Sequence, residues 1–212
     1  MKKISAAVAG ATGLVGGLLL RRLLDDPEVA GVLAPTRRPL SAHPKLENPI
    51  IAGEKWPALP PLDEAYCCLG TTRRQSKTDA AYRAVDFDLP VAFARAAKAA
   101  GARRFGLVSS IGADVRSRLL YLRTKGEAEA AVSGLGFESV AIARPSFLSG
   151  ERSESRATEM LGIRAFEALA PVMIGPLRRW RPVSAAAVAA ALIAALRGRV
   201  PGTLILESDA IL

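Results

Sequence analysis

The chain has 212 residues, half of them hydrophobic and 23% charged, and a formal net charge of +9. That length suits one hydrophobic core, because single cores stop growing near ~250 residues, and the balance excludes a disordered or fibrous chain. The basic excess is spread as scattered arginine pairs with few aromatics among them, so it reads as solvated surface charge and no nucleic-acid partner is expected.

Ile4 to Ala9 is a short apolar run ending at Gly10 and predicts a buried parallel strand. Met1-Lys2-Lys3 ahead of it resembles the start of a signal peptide. The apolar stretch, however, runs into Arg21-Arg22 with no small-residue cleavage site, so a cytoplasmic protein is expected. Leu14 to Leu24 predicts a helix closed by Asp25, Asp26 and Pro27. Val29 to Ala34 predicts a second strand, followed by the loop Pro35-Thr36-Arg37-Arg38-Pro39. Ile50-Ile51-Ala52 predicts a short third strand, and Ala65 to Leu69 a fourth that ends at Gly70. Cys67 and Cys68 in that strand are the chain's two cysteines. Neighbours are poorly placed for a disulfide and His43 is the single histidine, so a buried reduced pair and no metal site are expected.

Asp79 to Ala100 has apolar residues at helical spacing and stops at Gly101. Phe105 to Val108 predicts a strand ending in Ser109-Ser110, Arg118 to Val132 a helix, and Ser139 to Ala143 a sixth strand closed by Arg144-Pro145. Val183 to Leu196 predicts a last long helix, too short in its apolar part to span a bilayer, and Thr203 to Glu207 a last strand. No membrane partner is expected. Strands alternating with helices imply an α/β fold of the Rossmann type, a doubly wound parallel sheet with right-handed crossovers. One domain over 1–212 is expected. The stretch 150–181, rich in Glu, Arg, Ser and Pro, breaks the alternation as a small C-terminal substrate lobe over the strand ends.

Gly10-Ala11-Thr12-Gly13-Leu14-Val15-Gly16 is a Gly-x-x-Gly-x-x-Gly turn between the first strand and the first helix. Such a turn lets backbone N–H groups approach a pyrophosphate at a helix N-terminus. The end of strand two chooses the dinucleotide. An acid there would accept hydrogen bonds from the ribose of NAD; here Arg37 and Arg38 follow instead, and guanidinium groups pair with a 2′-phosphate. NADP(H) is therefore expected over NAD(H).

Tyr121 and Lys125 lie four residues apart, on one face of a helix. An ammonium beside a phenol favours the phenolate, and such a phenol can exchange a proton with a carbonyl or alcohol oxygen. Ser109 and Ser110 end the preceding strand, where a hydroxyl can hold that oxygen; we favour Ser110 over Ser109 as the catalytic one.

The glycine turn, Ser-Ser, Tyr-x-x-x-Lys and Arg144-Pro145 occur in an order that resembles the atypical or extended short-chain dehydrogenase/reductases. More narrowly, the chain resembles the NAD(P)-binding oxidoreductase-like family of the HIV Tat-interacting protein. The matching segments are Cys67 to Arg73, Ser109 to Asp114, Tyr121-Leu122, Lys125 to Glu127, and Glu154 to Arg156. The resemblance implies a sheet of about seven strands and an NADPH site. By matching positions that site comprises Thr12, Gly13, Leu14, Val15, Arg37, Arg38, Leu69, Gly70, Tyr121, Lys125, Leu148 and Arg156. Tyr121 would be the proton donor or acceptor and Lys125 the ribose-binding residue that tunes it. No family motif fixes the substrate, and some relatives are regulators that only bind cofactor.

The leading expectation is thus an NADP(H)-dependent oxidoreductase on a small carbonyl or alcohol, with Tyr121, Lys125 and Ser110 as its working set. The alternative is a non-catalytic NADP(H)-binding sensor, which has no need of a phenol at the nicotinamide. A sugar-nucleotide epimerase or dehydratase fits less well, because those chains carry a larger C-terminal lobe. Substrate contacts are expected from 150–181 and from Arg73, Arg74 and Gln75.

Overall fold

The computed structural model describes residues 3–51, 56–71, 76–146, 148–149 and 175–211. The first apolar run forms β1 (Ile4–Ala9), whose last four residues are buried as a central parallel strand requires. It passes through the glycine turn into α1 (Leu14–Asp25), which buries Val15, Leu19, Leu20 and Leu23. Then follow β2 (Val29–Leu33), β3 (Leu46–Glu47) and β4 (Glu64–Cys67). Next come α2 (Asp79–Arg83), a π-helical turn (Ala84–Asp88), α3 (Leu89–Ala99), β5 (Arg104–Val108), α4 (Leu120–Ser133) and β6 (Ser139–Arg144). The described C-terminal part holds β7 (Leu148–Ser149), a 3₁₀ turn (Gly175–Trp180), β8 (Val183–Ser184), α5 (Ala185–Arg197), β9 (Gly202–Glu207) and α6 (Ser208–Ile211).

Seven strands make one sheet in the order β3-β2-β1-β4-β5-β6-β9, and all of its pairings are parallel. This is the Rossmann-type doubly wound α/β sheet expected from the alternation. Strand order reverses between β1 and β4, and ligands of such sheets bind outside the carboxyl ends at that point. One face is covered by α1 and α5, with Leu19, Leu23, Val188, Leu192 and Leu196 fully buried against the strands. The other face is covered by α3 and α4 through Phe93 and Val132. There the Phe93 and Phe105 rings lie 6.0 Å apart and the Phe105 and Phe137 rings 5.0 Å apart. At the amino ends of the strands, the Tyr66 hydroxyl donates to the buried Glu64 at 2.9 Å, and Arg104 pairs with the same carboxylate at 3.3 Å.

Three sequence expectations are corrected. The third strand lies at Leu46–Glu47, not at Ile50 to Ala52; Ile50 makes an isolated bridge to Thr36. Pro49, which has no N–H to give to a ladder, separates the two. The single helix expected over 79–100 is split by the π-helical turn at Ala84–Asp88. Val183 and Ser184 precede the last long helix as a strand paired with Leu148 and Ser149. Of the lobe expected at 150–181, residues 150–174 lie outside the described residues.

Candidate functional site

The turn after β1 is fixed by contact with the end of β4. Gly10 has φ +83°, and a Cβ there would lie 2.7 Å from the carbonyl carbon and oxygen of Cys68, so only glycine fits. A Cβ at Gly16 would lie 2.1 Å from the Gly10 carbonyl oxygen, which is how closely α1 abuts the turn. The N-cap of α1 is Gly13, which offers no side chain to the first-turn amides. Those orphan N–H groups, contributed by Leu14, Val15 and Gly16 at the positive end of a 12-residue helix, suit an anion. Thr12 is exposed beside them. Donors without a competing side chain, and backbone open enough for close approach, fit a dinucleotide pyrophosphate.

At the end of β2, Arg37 and Arg38 are exposed on a bend. Thr36 Oγ1 donates to the Arg38 carbonyl at 2.6 Å. Asn48, which sequence reasoning missed, braces that bend: its Nδ2 donates to the Ala34 carbonyl at 2.6 Å and to Thr36 Oγ1 at 2.8 Å. Its Oδ1 accepts from the Leu40 N–H at 2.8 Å.

Leu69 and Gly70 continue from β4 beside the turn. A Cβ at Gly70 would sit 3.5 Å from Lys125 Nζ and 3.6 Å from Asp86 Oδ1, so Lys125 reaches the strand end from α4. Lys125 is buried and pairs with Asp86 at 2.7 Å. Burial alone would push this lysine down; the Asp86 carboxylate, helped by Tyr121 and Cys67, outweighs it and holds Lys125 above the usual lysine range. Asp86 Oδ2 also accepts the Thr71 N–H at 2.9 Å. Tyr121, one turn earlier on α4, is 37% exposed, and its ring lies 6.2 Å from that of the buried Tyr82.

The two serines after β5 differ. Ser109 donates its hydroxyl to buried Glu129, and Arg144 Nε donates to the same carboxylate at 3.0 and 3.2 Å. Ser110 is also buried, and its nearest acceptor is the carbonyl of Ile111 at 3.3 Å. Ser109 is thus engaged with the scaffold, whereas Ser110 makes the longer bond to the Ile111 carbonyl. Cys67 is buried and its thiol is pushed up to about 12 by desolvation, which disfavours the nucleophilic thiolate. Leu148 pairs with Val183 and packs on the core. Arg156, and Arg73, Arg74 and Gln75, lie outside the described residues.

The structure therefore brings together the glycine turn, the end of β4 and Lys125, with Tyr121 on the same helix. Sequence reasoning missed Asp86, Asn48 and Glu129. The one signal for Asp86 was an acid set within an apolar helical pattern; for the other two there was none, because their partners are remote in sequence.

No family model matches the chain. The Rattus norvegicus protein HTATIP2 is 38% identical over 177 residues, which are 80% of this chain and 73% of that one. The Emericella nidulans protein fmp52 is 35% identical over 212 residues, covering 93% of this chain and 91% of its own. Among solved structures, MoeE5 in complex with UDP-glucose and NAD shares the fold, with a TM-score of 0.70 at 20% identity over 95% of this chain and 75% of that one. The cytoplasmic expectation is corrected by the fungal relatives: those of Emericella nidulans and Coccidioides immitis are named mitochondrial. That expectation tested the N-terminus only for a secretory signal, and a chain without one can still be addressed to an organelle by other receptor-read signals. Among the described residues no helix is long and apolar enough to cross a membrane.

Proposed function

The chain belongs to the HTATIP2/FMP52 family, and on that premise we propose that it is an NADP(H)-dependent oxidoreductase of the extended short-chain dehydrogenase/reductase type acting on a small carbonyl or alcohol. The observation that carries this reading is the meeting of the glycine turn, the end of β4 and Lys125 where strand order reverses. The pyrophosphate would lie on the first-turn amides of α1, along Gly10 to Gly16. Arg37 and Arg38 would bind the 2′-phosphate, and the absence of an acid at the end of β2 supports the phosphorylated cofactor.

When bound, NADP(H) supplies or accepts the hydride. The chain's own residues hold the rest. Lys125 would bind the nicotinamide ribose as a cation and favour the ionised form of Tyr121. Tyr121 would pass a proton to or from the substrate oxygen, and Ser110 would donate a hydrogen bond to that oxygen.

The test is calorimetry with NADPH and NADH, together with cofactor oxidation over a panel of small aldehydes and ketones. Tighter binding of NADPH is expected, with turnover that falls at least ~10²-fold in Tyr121→Phe while NADPH binding is kept. NADPH binding with no turnover on any carbonyl would favour a cofactor sensor, and preference for NADH would overturn the phosphate assignment.

A further inference from the structure

The chain between β4 and β5 places a carboxylate under the site that the proposed chemistry does not use. Asp86 sits in the π-helical turn Ala84–Asp88 and is 1% exposed. A π-turn inserts one residue into a helix and turns the neighbouring side chains out of their normal phase, and such turns recur at functional sites. Here the flanking residues anchor it. Arg83 lies 4.2 Å over the Phe87 ring and pairs with Glu127 of α4, so the turn is fastened to the helix that carries Tyr121 and Lys125. Both Asp86 oxygens then face the site: Oδ1 meets Lys125 Nζ at 2.7 Å and Oδ2 accepts from the Thr71 N–H at 2.9 Å.

An isolated ammonium buried as deeply as Lys125 would shed its proton rather than stay charged without solvent. Among the described residues the groups facing it are few. Asp86 comes from the π-turn, Tyr121 from its own helix and Cys67 from β4. Cys67 is protonated at neutral pH, and Asp86 is the one carboxylate among them.

We propose that Asp86 is a positioning residue that keeps Lys125 a cation and aims it at the end of β4, while the same carboxylate holds the Gly70-Thr71 loop against it. The cofactor-facing consequence rests on the function proposed above; the ion pair does not. Removing the charge would leave Lys125 able to bind a ribose only below a new, lower titration midpoint.

The experiment is NMR of the full chain labelled with [13Cε]lysine, with the Lys125 signal assigned through Lys125→Met. In the wild-type protein Lys125 should remain protonated at pH ~10.4, where an unperturbed lysine is half titrated. In Asp86→Asn its midpoint should fall by about one to three pH units, and Asp86→Glu should restore most of the shift. NADPH affinity of Asp86→Asn should decline across that new midpoint, where the wild type shows no such step. A role limited to packing predicts lower melting temperatures for both variants with the lysine titration unmoved, and that result overturns the proposal. Should Asp86→Asn not fold, the wild-type titration decides alone: a Lys125 that titrates at or below the unperturbed lysine value of ~10.4 refutes it. If NADPH fails to bind wild type, the cofactor reading falls while the lysine titration still judges Asp86.

Discussion

Ser109 and Ser110 adjoin each other at the end of β5, yet their surroundings separate them. Ser109 donates a hydrogen bond to Glu129, itself clamped by hydrogen bonds from both Nε and Nη2 of Arg144. Removing one donor from a buried charged acceptor costs about 1–3 kcal/mol. Ser109→Ala should therefore lower stability by that amount in urea unfolding and leave turnover per folded molecule nearly intact. Ser110→Ala should do the reverse, with unchanged unfolding and a loss of turnover of about 10²-fold. The sequence favoured Ser110 only slightly, because the partner that distinguishes the two hydroxyls arrives from α4.

At the scale of elements, α4 is seated by a single small residue. A Cβ at Gly126 would lie 2.5 Å from the carbonyl carbon of Asp114 and from the Val115 nitrogen. The loop that follows Ser110 thus crosses directly over α4, next to Lys125, and the Leu122 carbonyl accepts the Asp114 N–H at 3.1 Å. Both neighbours are backbone atoms, which cannot rotate aside as a side chain end can. Gly126→Ala should cost about 1–3 kcal/mol in denaturant unfolding and depress turnover as well, since the displaced helix carries Tyr121 and Lys125. The split of the 79–100 helix belongs to this scale too. Its apolar spacing predicted a helix correctly, but the one residue that the π-turn inserts is located only once Asp86 is seen facing Lys125.

For the whole molecule, proton linkage gives a directional result. Tyr66 is raised well above the ordinary tyrosine value, first by burial and then by Glu64, and Lys125 is raised as well because Asp86 outweighs its burial. Both groups hold their protons more tightly folded than unfolded. The stability they contribute is whole below the unfolded values near ~10 and is lost as pH rises through the folded ones. Urea midpoints should be level through mildly alkaline pH and fall above about pH 10, with a shallower fall in Lys125→Met.

Alternation of apolar runs with helical periods, and the glycine turn at Gly10 to Gly16, were legible in the residues alone. They depend on near neighbours along the chain: a strand's period, a helix's period, and the positive φ that glycine tolerates. The pair Tyr121 and Lys125 was legible for the same reason, as two positions one helical turn apart. Tertiary structure decided what those residues meet. Asp86 beside Lys125, Asn48 beneath the Arg37-Arg38 bend, and Glu129 holding Ser109 are contacts between segments remote in sequence. Their energy comes from burying charge and polar groups together, a property of the packed chain that no local pattern carries.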